Sequence, residues 1–401
     1  MLHTIFLAAS ALTLADLEQM AVERNPAVAR AAAGVTSAEG RQRQAGAYPN
    51  PVVGLNADEV NSGPTIRYGE WGGFASQQIV MGGKRGLDRR IAAQDTAGAQ
   101  AHARAERQRV VNTARSLFYR AMADQRLIEV RTELEAIAKN TAKIAQELAN
   151  VGQADQPDVL AAEIEAERAV LAVQLARNGQ SRTWRQIAAL VDRPMTPQPV
   201  EGDLEKVPAV DLEAVQAALD RESPEVQVAS AAVARADVAV RRAEVEVIPD
   251  LEVRSGLRYN RELLELNRRP VGLETFLDVG VRIPIFNRNQ GNIAAAKADR
   301  EAARLDARRV ALSLRSRLAA AHREYLDSTQ TATRYSQDMI PRAQTAYDTY
   351  LRNFRAMAAA YPMALNAQRN LFALREQHVE ALAMAWQAVV ELQGLLVGHG
   401  H

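Results

Sequence analysis

The sequence predicts a mainly α fold with two pairs of membrane-type β-strands, laid out as a duplicated helix–strand–strand–long helical hairpin. Three observations carry that reading. Landmarks recur at a near-constant offset. Leu14, Pro26 and Pro49 answer Leu212, Pro224 and Pro249, and Gly86, Pro157, Leu160 and Ala162 answer Gly291, Pro362, Leu365 and Ala367. The first set is 198 to 200 residues apart and the second 205, a drift that small loop insertions produce. Apolar residues form 47% of the 401, yet aromatics only 5%, a composition suited to long, close-packed helices. Finally, each copy places two short alternating segments ahead of a heptad-patterned run too long for a compact domain.

The elements follow in order. Within residues 1–11, the run from Leu2 to Ala11 is apolar and ends in Ala9-Ser10-Ala11, like the core and cleavage site of a secretory signal without its basic leader; the alternative is the buried first turn of a helix. Copy one is assigned residues 12–204 and copy two 205–397. A helix over 14–47 starts at a Thr13 cap with Asp16 and Glu18 in its first turn, and stops at Pro49 and Pro51. Strands are expected over 52–60 and 74–81, joined by a loop carrying Asn61-Ser62-Gly63-Pro64, Glu70, Trp71 and Gly72-Gly73. After Gly82-Gly83 a helix runs from Lys84 to about residue 150. Leu127, Val130, Leu134, Ile137, Ile144 and Leu148, with Thr141 filling the gap, step alternately by three and four, the seam of a coiled coil. At 1.5 Å per residue this run spans roughly 90 to 100 Å. A turn over 151–158, with Gly152 and Pro157, reverses the chain into a helix over 159–191.

Copy two repeats the order: a helix over 210–247, strands over 251–259 and 277–285, and a hairpin over 292–397 with its first arm reaching about residue 351. The returning arm starts near Met363 after Pro362, and its seam reads Leu365, Phe372, Val379, Ala383, Trp386 and Val390.

The strands of copy two are the most informative local pattern. Leu251, Val253, Leu257 and Tyr259 alternate with Glu252, Arg254, Gly256 and Arg258, and Leu277, Val279, Val281, Ile283 and Ile285 alternate with Asp278, Gly280 and Arg282. One face is therefore apolar and the other charged. A soluble sandwich shows the same alternation. Here no further β element exists to cover the apolar face, and a strand pair alone is marginal. Lipid covers it if the strands join a closed barrel, for which nine to eleven residues per strand suffice. Four strands close no membrane barrel of useful bore, so the barrel would be shared among identical chains.

Other classes are narrowed by composition. Lys and Arg number 49 against 48 Asp and Glu, leaving no basic surface for nucleic acid. The absence of cysteine excludes disulfides, thiolate metal sites, cysteine nucleophiles and an acylated cysteine anchor. No stretch of about 18 apolar residues exists, which excludes a membrane-spanning helix. The six histidines are scattered, no catalytic set assembles and no cofactor is implied; His399 and His401 form at most a weak tail ligand pair. Gly82-Gly83-Lys84-Arg85 sits at a strand-to-helix junction, where helix N-termini attract anions, but lacks the spacing of a nucleotide loop and reads as a tight turn. Asp155 and Asp158 lie at the first hairpin tip, Arg352 and Arg355 near the second. Such tips are ordinarily just solvated; in a tubular assembly they would converge on the axis and could gate it.

Taken together, these features resemble the outer-membrane efflux factors, the TolC-like channel-tunnels. The resemblance covers nearly the whole chain. It rests on the duplicated element order, on Asn25-Pro26 and Ser223-Pro224, and on the tip-and-return segments Asp158-Val159-Leu160-Ala161-Ala162-Glu163 and Leu365-Asn366-Ala367-Gln368. Two junction segments resemble the heavy-metal branch of CzcC type, which confers cobalt–zinc–cadmium resistance. They are Gln78 through Arg85 and Ile283-Pro284-Ile285-Phe286-Asn287-Arg288-Asn289-Gln290-Gly291-Asn292-Ile293. The resemblance implies a homotrimer: a 12-stranded β-barrel in outer-membrane lipid joined to a 12-helix α-barrel tunnel in the periplasm. It also implies docking, through a periplasmic adaptor, on an inner-membrane proton-driven pump of RND type, with a passive channel that exports heavy-metal cations. Two departures stand out. Family members often carry acidic rings near the aperture, yet 354–365 holds no Asp or Glu, and many relatives carry a lipidated cysteine. A duct for drugs or secreted polypeptides, or a periplasmic coiled-coil structural or adaptor protein, remains as an alternative.

Overall fold

The computed structural model describes residues 11–59, 69–263, 269–356, 358 and 361–394. Most of the signal-like segment, the turn at residues 61–64, and His3, His399 and His401 lie outside the described residues.

Copy one comprises α1 (Leu14–Arg24), α2 (Pro26–Ala45), β1 (Val52–Asp58), β2 (Glu70–Ile79), α3 (Lys84–Asn150) and α4 (Gln156–Leu190). Copy two comprises α5 (Leu212–Glu222), α6 (Pro224–Glu244), β3 (Leu251–Leu263), β4 (Pro270–Val281), α7 (Gln290–Arg334), a π-helical segment (Tyr335–Met339), α8 (Ile340–Arg355) and α9 (Tyr361–Gly394). The order is thus duplicated, as the landmarks predict.

Several boundaries differ from expectation, each for a local reason. The single opening helix expected over 14–47 is two helices, and that over 210–247 is split likewise. Pro26 and Pro224 have no N–H to donate and their rings clash with the preceding turn, so Asn25 and Ser223 adopt extended backbone. Asn25 then accepts a hydrogen bond from Ala27 N and donates one to Leu190 O at 3.0 Å. The long arm expected from 292 is interrupted by the π segment just before Pro341, the kind of widened turn that relieves a proline inside a helix. β2 begins at Glu70 rather than 74, so Glu70 and Trp71 are strand residues, not loop. Gly72-Gly73 looks like loop in sequence, but a side chain at Gly72 would lie 2.4 Å from Leu257 O. Glycine is there because strands β2 and β3 approach closely. β4 runs from Pro270 to Val281, leaving Ile283 and Ile285 beyond it. Proline is tolerated as the first residue of a strand.

The strands form one antiparallel sheet in the order β1-β2-β3-β4. The two pairs, far apart in sequence, therefore join through β2 and β3. The described residues pack as two compact units: those within 11–32, 102–226 and 310–394, and those within 33–101 and 227–309. Each draws on both sequence copies. In the first unit the α3 seam is buried at Val130, Leu134, Thr141 and Ile144. Its largest core cluster adds Trp184, Ile187, Val379, Leu382 and Trp386. The Trp386 indole donates to Leu204 O at 2.8 Å. The second unit holds the sheet and the helix ends that feed it.

Candidate functional site

Three places carry the predicted residues: the sheet, the strand-to-helix junctions and the hairpin tips.

In the sheet, opposed residues of neighbouring strands share a face. The register puts Asn56 and Asp58 of β1, Glu70 and Ser76 of β2, Glu252, Arg254, Arg258 and Asn260 of β3, and Glu274 and Asp278 of β4 on one side. Val53, Leu55, Trp71, Leu257, Tyr259, Leu273, Leu277 and Val279 lie on the other. That apolar side is solvent-exposed in the single chain: Leu55 is 89% exposed, Leu273 69% and Leu277 66%. Trp71 and Tyr259 are register partners at the end of the sheet away from the helices, where amphipathic rings suit a lipid–water boundary.

At the first junction, Gly82 and Gly83 take left-handed φ of 68° and 67°, which costs a non-glycine residue about 1 kcal/mol or more. A Cβ on Gly82 would also meet Ile248 Cδ1 at 2.9 Å. The turn delivers Lys84, whose side chain is 5% exposed, onto Asp250 at 3.0 Å. Asp250 accepts further hydrogen bonds from Met81 N and Gln78 Nε2. Burial pushes the Asp250 carboxyl up, but the Lys84 ammonium and the two other donors outweigh it and hold it below its ordinary value. Arg85 donates to Gly46 O at 2.8 Å and stacks on the Tyr48 ring. The first motif is thus a structural clamp tying α3 to the root of β3, with no free anion cradle. Sequence reasoning missed Asp250; its only signal was a carboxylate directly after Pro249.

At the second junction, Asn289 has φ 62°, a conformation asparagine tolerates. Asn287 Oδ1 accepts from Asn289 N, Gln290 Oε1 accepts from Arg288 N, and Asn289 Nδ2 donates to Ala243 O at 2.8 Å. The polar run therefore builds a tight turn and pins it to α6. Gly291 is the second residue of α7 with open space around it.

At the tips, Asp155 is the N-cap position of α4 but makes no side-chain cap bond. Burial, then the neighbouring Asp155 charge, raises the Asp158 carboxyl. No ion pair joins Asp155 or Asp158 to Arg352 or Arg355 among the described residues, and both arginines are exposed. What the fold does join are the two hairpin ends: Ile144, Val159, Phe354, Tyr361 and Leu365 form one buried cluster. Tyr361, 1% exposed, packs on Phe354 at 5.3 Å, and burial pushes its hydroxyl up to about 12. Arg369 pairs with Glu165 across the tips. Tyr361, Glu165 and Arg369 were not legible as tip residues because the contacts that tie them down, with Ile144 and Val159 for Tyr361 and between Glu165 and Arg369, cross between the copies.

No group of three or more potential metal-ligating side chains exists among the described residues. No helix there is long and apolar enough to cross a membrane.

The family described as outer membrane efflux protein matches residues 17–192 and 214–398. Among curated proteins, the cobalt-zinc-cadmium resistance protein CzcC of Cupriavidus metallidurans is 26% identical, with 97% of this chain and 91% of that protein covered. Among solved structures, CusC superposes with a TM-score of 0.83 at 17% identity, covering 96% of this chain and 92% of that one. The outer-membrane channel OprN does so with 0.80 at 15%, covering 96% and 90%. The outer membrane protein VceC of Vibrio cholerae does so with 0.78 at 17%, covering 96% of each.

Proposed function

The chain belongs to the outer membrane efflux protein family, and on that premise we propose that it is the passive exit duct of a tripartite system exporting heavy-metal cations. The observation that carries the duct is the sheet, with one face apolar and exposed and the other polar. Lipid tolerates the apolar face only if every backbone group is paired. Within one chain β1 and β4 are each hydrogen-bonded on one side only, so other copies must complete the ring. Three copies of this four-stranded sheet make a closed 12-stranded barrel, and their paired helical hairpins continue it as a 12-helix tunnel in the periplasm. The junction clamps set the angle at which helix meets strand, and the tips, with Asp155, Asp158, Arg352 and Arg355 exposed or nearly so, are the end offered to a periplasmic adaptor. An inner-membrane proton-driven pump of RND type supplies the energy.

The cargo assignment to metal cations of the cobalt, zinc and cadmium class rests on likeness to the C. metallidurans protein. It is tested by deleting the gene, complementing with this chain, and measuring growth against each metal and against a panel of antibiotics. Restored resistance to metals alone supports the reading; restored resistance only to antibiotics overturns the cargo.

A further inference from the structure

We infer that the barrel wall of this chain is a cation filter, in which Glu252 and Asp278 present negative charge without an ion-pair partner to the duct while the two arginines within the registered strands, Arg254 and Arg258, are held against the wall. This rests on the duct reading above and adds to it the charge of the species that passes.

The polar face carries Asp58, Glu70, Glu252, Glu274 and Asp278 against Arg254 and Arg258, a formal −3 per chain among the described strand residues that share this register. The same registered strands carry no Asp, Glu, Lys, Arg or His on the opposite face. The two arginines are not free to offset the acids. Arg258 bridges Glu70 at 2.6 Å and Glu274 at 3.0 Å, so its charge is spent locally. The Arg254 guanidinium lies 4.0 Å from the Phe74 ring centroid and 5.5 Å from that of Phe276.

Glycines make that stack possible. A Cβ on Gly54 would come within 2.7 Å of the Phe74 ring, and one on Gly256 within 2.7 Å of the Phe276 ring. Both rings therefore lie flat across the neighbouring strand instead of filling the lumen, and the guanidinium lies down on them. Asp278 is the register partner of Arg254, and Glu252 faces Gly280 one rung nearer the helices. Both carboxylates are exposed, and neither has an ion-pair partner among the described residues. Glu252 receives only a long hydrogen bond, 3.5 Å, from Ser76.

In a threefold barrel these residues form stacked acidic rings, the arrangement by which channels select cations. Screening does not abolish the field close to the rings, since the Debye length at physiological salt is about 8 Å. The consequence is strongest for doubly charged ions.

The test is the reversal potential of the full-length protein in planar bilayers under a KCl gradient. The wild type is expected to pass potassium severalfold better than chloride, and the double variant E252Q/D278N to bring the ratio near one. Phe74→Ala changes no charge but releases Arg254 into the lumen, and is expected to lower the ratio too. E252Q alone, which removes one exposed carboxylate isosterically, serves if the double variant does not assemble. A wild type that conducts without preferring potassium, or an E252Q/D278N channel with the wild-type ratio, overturns the filter while leaving the duct intact. A reconstituted wild type that never conducts sinks the duct reading instead, and the filter with it.

Discussion

Replacing Asp250 with alanine removes the acceptor around which the first junction is built. Lys84 has 5% of its side chain exposed and meets Asp250 at 3.0 Å. Met81 N and Gln78 Nε2 use the same carboxylate, at 3.1 and 3.0 Å. Deleting one partner of a buried pair costs about 3 to 5 kcal/mol, because the other charge stays buried and uncompensated. Asp250 keeps 24% of its side chain in contact with solvent, so water can reach the gap and the lower end, about 3 kcal/mol, applies. Asp250→Asn retains an acceptor for Lys84 and Met81 N and should cost only about 1 to 2 kcal/mol, the charge-assisted part of the bonds. The double variant K84M/D250L removes both charges and should recover most of the loss. The assay is guanidinium unfolding of the detergent-solubilised protein followed by circular dichroism, with heat-modifiable gel mobility as a check that the barrel forms. The pH dependence has a definite sign. A carboxyl held below its ordinary 3.8 stabilises above that value and loses the contribution as pH falls through it, so the wild type and D250N should converge in acid. Equal losses for D250A and D250N, or a D250A cost below about 1 kcal/mol, would refute the clamp.

Further predictions follow from the same geometry. Gly83→Ala should cost about 1 kcal/mol from backbone alone, whereas Gly82→Ala should cost more because its Cβ also strikes Ile248; equal denaturant midpoints would count against that difference. Asn289→Gly keeps the φ of 62° but loses the bond to Ala243 O, and Asn289→Ala loses both. Alanine should therefore be the worse of the two by about 1 kcal/mol, read as a shift in midpoint at constant slope. His378 lines a cleft of about 280 Å³ with Arg126, Glu133, Glu205 and Arg375. Burial lowers its pKa, against the Glu205 charge and with that of Arg126. Its neutral form favours the folded state above the ordinary 6.5, and that contribution is lost as pH falls below it. Melting temperature should thus drop between pH 7.5 and 5.5, by less in His378→Gln; parallel slopes would exclude His378 as the cause.

Much was legible because it is local and periodic. Proline, glycine and heptad spacing depend only on neighbours along the chain, so the duplicated element order, the seam from Leu127 to Leu148 and the alternation of Leu251 through Tyr259 could all be read without a partner in view. The Thr13 cap is of the same kind, and its side chain does accept from Asp16 N. What could not be read are pairings between elements distant in sequence. Whether Gly72-Gly73 is loop or strand depends on Leu257 approaching from the other copy. Whether Lys84 is a phosphate ligand or half of a buried pair depends on Asp250, and whether Tyr361 is a surface phenol or a sealed core residue depends on Phe354 and the first hairpin. Local composition leaves these choices nearly equal in energy. The tertiary fold decides them, because burial makes one arrangement of charge and volume far cheaper than the rest.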